Sequence, residues 1–263
     1  MSEQKVLSQI SERGIATITL NNPGKHNALE DIIIAELTAA FAQIEKSKDV
    51  RVMVLTATGK NFCAGADLGW MKRMATYSYD ENLKDSKALA RMFKLLNTLS
   101  VPTIARVQGV ALGGGVGLVS CCDMAVAASD ASFTLSEVKI GLIPAVISPY
   151  VVAAIGQRAA RRYFTTAERF DAETAIKLGL VSKAVEQTQL NHETEKLAET
   201  LLANSPSATV EAKQLVFDVA GRLIDDKLIE LTCERIAAIR VSANGQEGLS
   251  AFLQKRQPTW SVQ

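Results

Sequence analysis

Apolar and polar positions alternate from the start of the chain. Residues 6–10 and 15–20, the latter with Ala16, Ile18 and Leu20 set against Thr17 and Thr19, predict two strands joined across Glu12-Arg13-Gly14. A turn at Asn22-Pro23-Gly24 ends this pair. The period then changes. From about residue 29 to residue 46, Leu37, Ala40, Phe41 and Ile44 recur on one helical face. A second unit repeats the scheme with a strand over 52–57, a turn at Gly59, a run of small residues from Phe62 to Asp67, and a helical stretch over 83–99. A third has a strand over 103–107, the Gly113-Gly114-Gly115 turn, a short helix to Cys121 and a strand over 124–127. Strand, strand, helix, then strand and helix in alternation predict an α/β fold with a mostly parallel sheet covered by helices. From Ala172 onward the pattern is almost wholly helical, with stretches over 189–203, 207–220, 227–240 and 247–255. The expected organisation is an α/β core over residues 1–200 followed by a C-terminal helical region over 201–263.

Composition narrows the function classes. With 263 residues, 48% of them hydrophobic, the chain can bury one sizeable core without staples. Cys121 and Cys122 are adjacent, Cys63 lies in a small-residue turn and Cys233 in a helical pattern, so neither a disulfide framework nor a metal-ligand spacing emerges. A net charge of +1, with both signs interspersed, supplies no field for nucleic acid or an anionic membrane. The N-terminal segment lacks an uninterrupted apolar run, and the apolar stretch from Val107 to Cys122 is too short and glycine-rich for a membrane span. A cytoplasmic protein is expected.

Two segments carry candidate chemistry. Gly113-Gly114-Gly115 follows an apolar strand and opens a helix, which turns backbone amides outward at the positive end of a helix dipole. Ala64-Gly65-Ala66-Asp67 is a second stretch of bare backbone after a strand. Alone, each more often means close packing. Paired, they can each give one amide to a single oxygen, forming an oxyanion hole. The glycine run does not fit GxGxxG, and no Lys-Ser/Thr pair follows to make a phosphate loop. His26 in a turn and His192 on a charged helix are weak catalytic candidates, and no Gly-x-Ser-x-Gly elbow occurs.

Taken in order, Phe62-Cys63-Ala64-Gly65-Ala66-Asp67, Ala111-Leu112-Gly113-Gly114-Gly115 with Cys122-Asp123, and Ser136-Glu137-Val138-Lys139-Ile140-Gly141-Leu142-Ile143-Pro144 resemble signature segments of the crotonase (enoyl-CoA hydratase/isomerase) family. Residues 167–181 resemble the stretch that follows. The resemblance implies repeated ββα units, a C-terminal helical region used in trimer formation, and a trimer or a hexamer built from two trimers. It implies an acyl-CoA thioester as substrate, coenzyme A being part of that substrate, with no separate cofactor and no metal. In the family, amides at the positions of Ala66 and Gly114 hold the thioester oxygen, and a glutamate at the position of Glu137 exchanges a proton with the substrate. By the same resemblance the CoA portion lies along Lys25, His26, Ala28 and Ala64, with Phe252 and Lys255 reaching in from a C-terminal helix. Asp67, Leu68 and Gly113 complete that set, and Trp70, Met71 and Met74 are expected as an apolar lid over the acyl group.

The chain departs from the family pattern in two places. Two-glutamate hydratases carry their other acid where this chain has Gly117, which leaves one carboxylate by resemblance. After Pro144, the block Ala145-Val146-Ile147-Ser148-Pro149-Tyr150 resembles the bacterial 3-methylglutaconyl-CoA hydratases, which also have glycine at the Gly117 position. Addition of water to such a branched enoyl-CoA is the expected activity. A Δ3,Δ2-enoyl-CoA isomerase is the nearest rival, and RNA binding or an inactive paralogue are more distant ones. Lys72, Arg73, Ser148 and Tyr150 are candidates for holding a distal substrate carboxylate.

Overall fold

A computed structural model describes residues 4–261. Six strands form the main sheet in the order β1-β2-β3-β4-β6-β9. These are β1 (Val6–Ile10), β2 (Ile15–Leu20), β3 (Val52–Ala57), β4 (Thr103–Val107), β6 (Met124–Ala128) and β9 (Lys183–Val185). Only β1 runs antiparallel to its neighbour; every other pairing is parallel. β2 buries alternate residues, Ala16, Ile18 and Leu20, whereas the central β3 is buried almost throughout. That difference follows from a strand covered on one face and a strand covered on both. A smaller sheet, β5-β7-β8, joins Val110–Leu112, Ser132–Thr134 and Phe170–Asp171.

Helix α1 (Asp31–Lys46) buries Ile33, Ile34, Leu37, Ala40, Phe41 and Ile44. It begins two residues later than the apolar period predicts. The Leu29 amide donates to Gly65 O at 2.7 Å and the Leu29 carbonyl accepts from Asp67 N at 2.8 Å, so residue 29 is held in an extended bridge beside Ala66. A short α2 (Leu68–Met74) follows, and α3 (Tyr79–Asn97) begins earlier than expected at a capping box in which Ser78 and Glu81 satisfy each other's amides. α4 (Gly114–Cys121) lies between β5 and β6, and α5 (Ser148–Thr166) is broken at Gly156. The expectation of nearly unbroken helix beyond Ala172 is corrected by β9, which follows α6 (Ala172–Leu178) and pairs with β6. Three residues are too few for a strand period to register, and only the exposed sheet edge makes them a strand.

α7 (Leu190–Leu202) packs on β3, β4 and β6. α8 (Pro206–Val219), α9 (Asp226–Val241) and α10 (Ala243–Leu253) then pack on one another. Polar ties hold the end of α7, the segment after it and α8 to residues flanking the sheet. Arg51 donates to Leu202 O at 2.9 Å and Asn204 O at 2.7 Å, and Lys213 pairs with Asp123 at 2.7 Å. Among the described residues, no helix is long and apolar enough to cross a membrane.

Candidate active site

The floor of the site is the turn between β2 and α1, stitched to the segment after β3. Asn27 is fully buried; its side-chain amide donates to Thr58 O and Asn61 O, both at 2.9 Å, and its Oδ1 accepts from Asn22 N at 2.8 Å. Those three bonds offset the left-handed conformation of His26 and Asn27, whose φ angles are 52° and 55°. His26 then offers its carbonyl to Ala64 N at 3.0 Å and its Nδ1 lies 3.1 Å from Asn61 Nδ2. Lys25 stands exposed beside this turn with Nζ 3.0 Å from Asp67 Oδ2 and 3.7 Å from Glu30 Oε2. Asp67 also caps α2 by accepting from Trp70 N at 3.0 Å. Burial alone would raise the Asp67 pKa, but hydrogen bonds from Lys25 and the Trp70 amide outweigh it and hold the carboxyl below its ordinary value.

Two backbone segments lie side by side above this floor. Cys63 bridges to Ala111, with Cys63 N donating to Val110 O at 3.1 Å and Leu112 N to Cys63 O at 2.9 Å. A Cβ on Gly115 would lie 2.6 Å from Cys63 O, so this close approach requires glycine. The backbone around Ala66 alternates as in a strand: the carbonyl of Gly65 and the amide of Asp67 face Leu29. The intervening Ala66 amide donates to no acceptor among the described residues. Gly113 N is taken by Thr134 O at 2.8 Å, whereas Gly114 opens α4, and its amide is one of the first-turn donors that the helix cannot satisfy.

Glu137 completes the arrangement. It follows β7 at the start of a single 3₁₀ turn, Glu137–Ile140, closed by a left-handed Gly141. Its carboxylate rests against Gly113, where an added Cβ would lie 2.8 Å from Oε1; Gly113 itself has φ 47° and ψ −112°. Glu137 Oε2 is buried without a hydrogen-bond partner among the described residues, as is Thr134 Oγ1. Burial pushes the Glu137 pKa up, only partly countered by a bond from its own backbone amide. A poorly solvated carboxyl against Gly113, the residue that precedes the unclaimed Gly114 amide, is suited to passing a proton while charge gathers on a neighbouring oxygen.

The remaining sequence-predicted residues are placed unevenly. Ala28 is buried, Ala64 half-buried and Leu68 73% exposed. The expectation of Trp70 as a lid is corrected: it is 3% exposed, a member of the core, and its indole Nε1 donates to Asp85 on α3 at 3.2 Å. Met71 is half-buried next to it, and Met74 packs against the core. Phe252 is 81% exposed on α10, whose packing partners are α8 and α9. Neither Phe252 nor Lys255 makes a hydrogen bond or ion pair with the turn at 25–28 among the described residues, so within one chain this pair is not joined to the rest. Of the candidates for a distal carboxylate, Arg73 is paired with Asp31 at 2.6 Å and Ser148 Oγ donates to Ala145 O at 2.8 Å. Tyr150 is half-buried with its ring 6.2 Å from that of Phe93, and Lys72 is exposed.

Three contributors had no assigned place in the site from the sequence, Ile147 having entered only as part of the block over 145–150. Leu29 fixes the Ala66 backbone by its bridge and fronts Gly114, whose added Cβ would meet Leu29 Cδ1 at 2.7 Å. Phe93 and Ile147 close the space beside Gly117. All are apolar, and at helical or irregular spacing such residues carry no signal distinguishing a site wall from ordinary core.

Known proteins share this fold along nearly the whole chain. A family model described as enoyl-CoA hydratase/isomerase matches residues 11–263. The crystal structure of an enoyl-CoA hydratase from Shewanella pealeana superposes with a TM-score of 0.94 at 44% identity, covering 97% of this chain and 96% of that one. An enoyl-CoA hydratase from Mycobacterium smegmatis gives 0.93 at 34% identity, covering 98% of this chain and 99% of that one. A short-chain-enoyl-CoA hydratase of Clostridium acetobutylicum is 31% identical over 248 residues, 93% of each chain.

Proposed function

As the chain belongs to the enoyl-CoA hydratase/isomerase family, we propose that it adds water reversibly to a branched enoyl-CoA thioester such as 3-methylglutaconyl-CoA. The observation that carries this reading is the Glu137 carboxyl lying against Gly113, its Oε2 buried without a hydrogen-bond partner among the described residues, next to the residue whose amide, Gly114 N, the helix leaves free. The thioester oxygen accepts from the amides of Ala66 and Gly114. As water attacks the β-carbon, Glu137 takes one of its protons, the C=C π pair moves toward the α-carbon, and the thioester becomes an enolate whose charge the two amides face. Glu137 then returns that proton to the α-carbon, so hydroxyl and hydrogen are added across the former double bond and the carboxylate is regenerated. The CoA portion runs past Lys25, His26, Ala28 and Ala64, where a lysine suits a phosphate.

A protein with one such carboxylate needs help to orient water, and a glutaconyl ester brings a second carboxylate on its own β-substituent. The block Ala145–Tyr150 supports that substrate class by its resemblance. A second reading, double-bond isomerisation between Δ3 and Δ2 positions, is favoured by the same single carboxylate, because moving a proton between carbons needs no water. The chain's exposed apolar residues on α8, α9 and α10, among them Phe217, Ile236, Leu249, Phe252 and Leu253, support assembly of copies through residues 201–263. In such an oligomer Phe252 and Lys255 reach the CoA site of a neighbouring copy.

One panel tests the activity. Crotonyl-CoA, 3-methylglutaconyl-CoA and 3-hexenoyl-CoA are each followed by enoyl-thioester absorbance and by mass. Gain of one water, fastest on the glutaconyl ester, is expected; conversion of 3-hexenoyl-CoA with no mass change and no hydration of the others would establish the isomerase instead.

A further inference from the structure

α4 leads away from Gly113 with Gly117 one turn on, the Gly117 amide donating to Gly113 O at 3.1 Å. Gly113 is the non-helical N-cap of α4, with φ 47° and ψ −112°, so position 117 is near it by one turn of rise, about 6 Å, while a Cβ at 117 would point at Ile147 and Phe93. Gly113 is the glycine against which the Glu137 carboxylate rests. The space at position 117 is already filled. A Cβ on Gly117 would lie 2.3 Å from Ile147 Cγ2, 3.0 Å from Ile147 Cβ and 3.0 Å from Phe93 Cε1.

Neither neighbour can move aside cheaply. Phe93 is fully buried, and its ring also approaches Gly114, where a Cβ would lie 3.9 Å from Cζ. Ile147 is 4% exposed and serves as the N-cap of α5, its carbonyl accepting from Val151 N at 3.1 Å and Tyr150 N at 3.2 Å. Its backbone is thus anchored by the helix it begins, and a branched side chain has few alternative rotamers. The glycine at 117 and the isoleucine at 147 are two halves of one packing solution.

We propose that Ile147, backed by Phe93, is a specificity-determining residue: it fills the helix face from which the protein would offer a second water acceptor beside Glu137. Efficient hydration is thereby reserved for enoyl thioesters that carry an acceptor group of their own. The inference rests on the hydratase reading above, and it makes Gly117→Glu alone a poor test, because that side chain would enter occupied space.

The packing half is tested by thermal unfolding of Gly117→Ala, Ile147→Ala and the double variant. Gly117→Ala should lower Tm, and the double variant should lose clearly less than the sum of the two single losses. A Gly117→Ala protein as stable as wild type would overturn the proposal. The specificity half compares kcat/KM for crotonyl-CoA with that for 3-methylglutaconyl-CoA. Gly117→Glu in the Ile147→Ala background should raise this ratio roughly tenfold or more over Ile147→Ala alone, at the lower end of what a positioned acid or base contributes. Should that double variant fail to fold, formate added to Ile147→Ala takes its place: crotonyl-CoA hydration should rise with formate in the variant and stay flat in wild type. A folded double variant with an unmoved ratio, or no formate effect in the variant, would overturn the proposal. A wild type that hydrates the glutaconyl ester while the variants leave the ratio unmoved defeats this inference alone, whereas a wild type that hydrates neither ester defeats the hydratase reading as well.

Discussion

Replacing Glu137 by glutamine separates proton transfer from everything else the residue does. The side chains are nearly isosteric, the carboxylate already rests against Gly113, and its Oε2 has no hydrogen-bond partner among the described residues, so the substitution breaks no bond at that oxygen. What is lost is the ability to take and return a proton. A positioned acid/base contributes about 10²–10⁴ in rate, or roughly 2.7–5.4 kcal/mol at about 1.36 kcal/mol per decade. Turnover on the preferred enoyl ester should fall by that factor, while the affinity for a CoA ester, measured by calorimetry, should stay within a few-fold of wild type. Stability should move the other way. Because burial raises the Glu137 pKa in the folded protein, the native state holds this proton more tightly than the unfolded chain does. The stabilisation from the neutral acid is complete below the unfolded pKa and disappears as pH rises through the raised native value. The Tm of the glutamine variant relative to wild type should therefore increase as pH is raised through that window. The acid limb of kcat/KM in wild type should fall at a higher pH than an ordinary glutamate gives. A variant with wild-type turnover would remove Glu137 from the chemistry; one whose relative Tm falls as pH rises would mean that the carboxylate is paired and charged in the folded state.

Other outcomes follow from the same geometry. Gly113→Ala places a Cβ 2.8 Å from Glu137 Oε1 at a residue with φ 47°, and should cost about 1–3 kcal/mol in stability, seen as a lower Tm, together with a fall in kcat. Asn27→Ala removes three hydrogen bonds that hold the turn carrying Lys25 and His26. A loss of about 3 kcal/mol in denaturant unfolding is expected, at roughly 1 kcal/mol per bond, with KM for CoA esters rising more than kcat falls. Phe252→Asp, on a side chain 81% exposed in the single chain, should shift the sedimentation profile toward smaller species and raise KM in parallel.

Much of this protein is written locally. The alternation in β2, the helical face of α1 and the strands β3, β4 and β6 were all legible because strand and helix periods depend on neighbours within a few residues. The candidate amides were legible for a related reason: a glycine run at a helix start and a small-residue run after a strand expose backbone wherever they occur, and Glu137 stood out by its place in a recognisable segment. What lay beyond reach depended on partners distant in the chain. Leu29 has helical spacing, yet its amide and carbonyl are claimed by Gly65 and Asp67, so α1 waits until Asp31. Trp70, expected in a lid, lies in the core, where its indole donates to Asp85 on α3, a residue 15 positions on. β5, β7, β8 and β9 are too short to show a period; β9 forms on the edge of the main sheet beside β6, and the other three form by pairing with one another across long stretches of chain. The sequence alone determined which backbone groups could be offered to a ligand and that Gly117 carries no acid. Tertiary packing decided that Ala66 and Gly114 keep their amides free, that Glu137 lies buried against Gly113, and that Ile147 and Phe93 fill the space at Gly117, because occupancy of a volume is settled by every segment that reaches it.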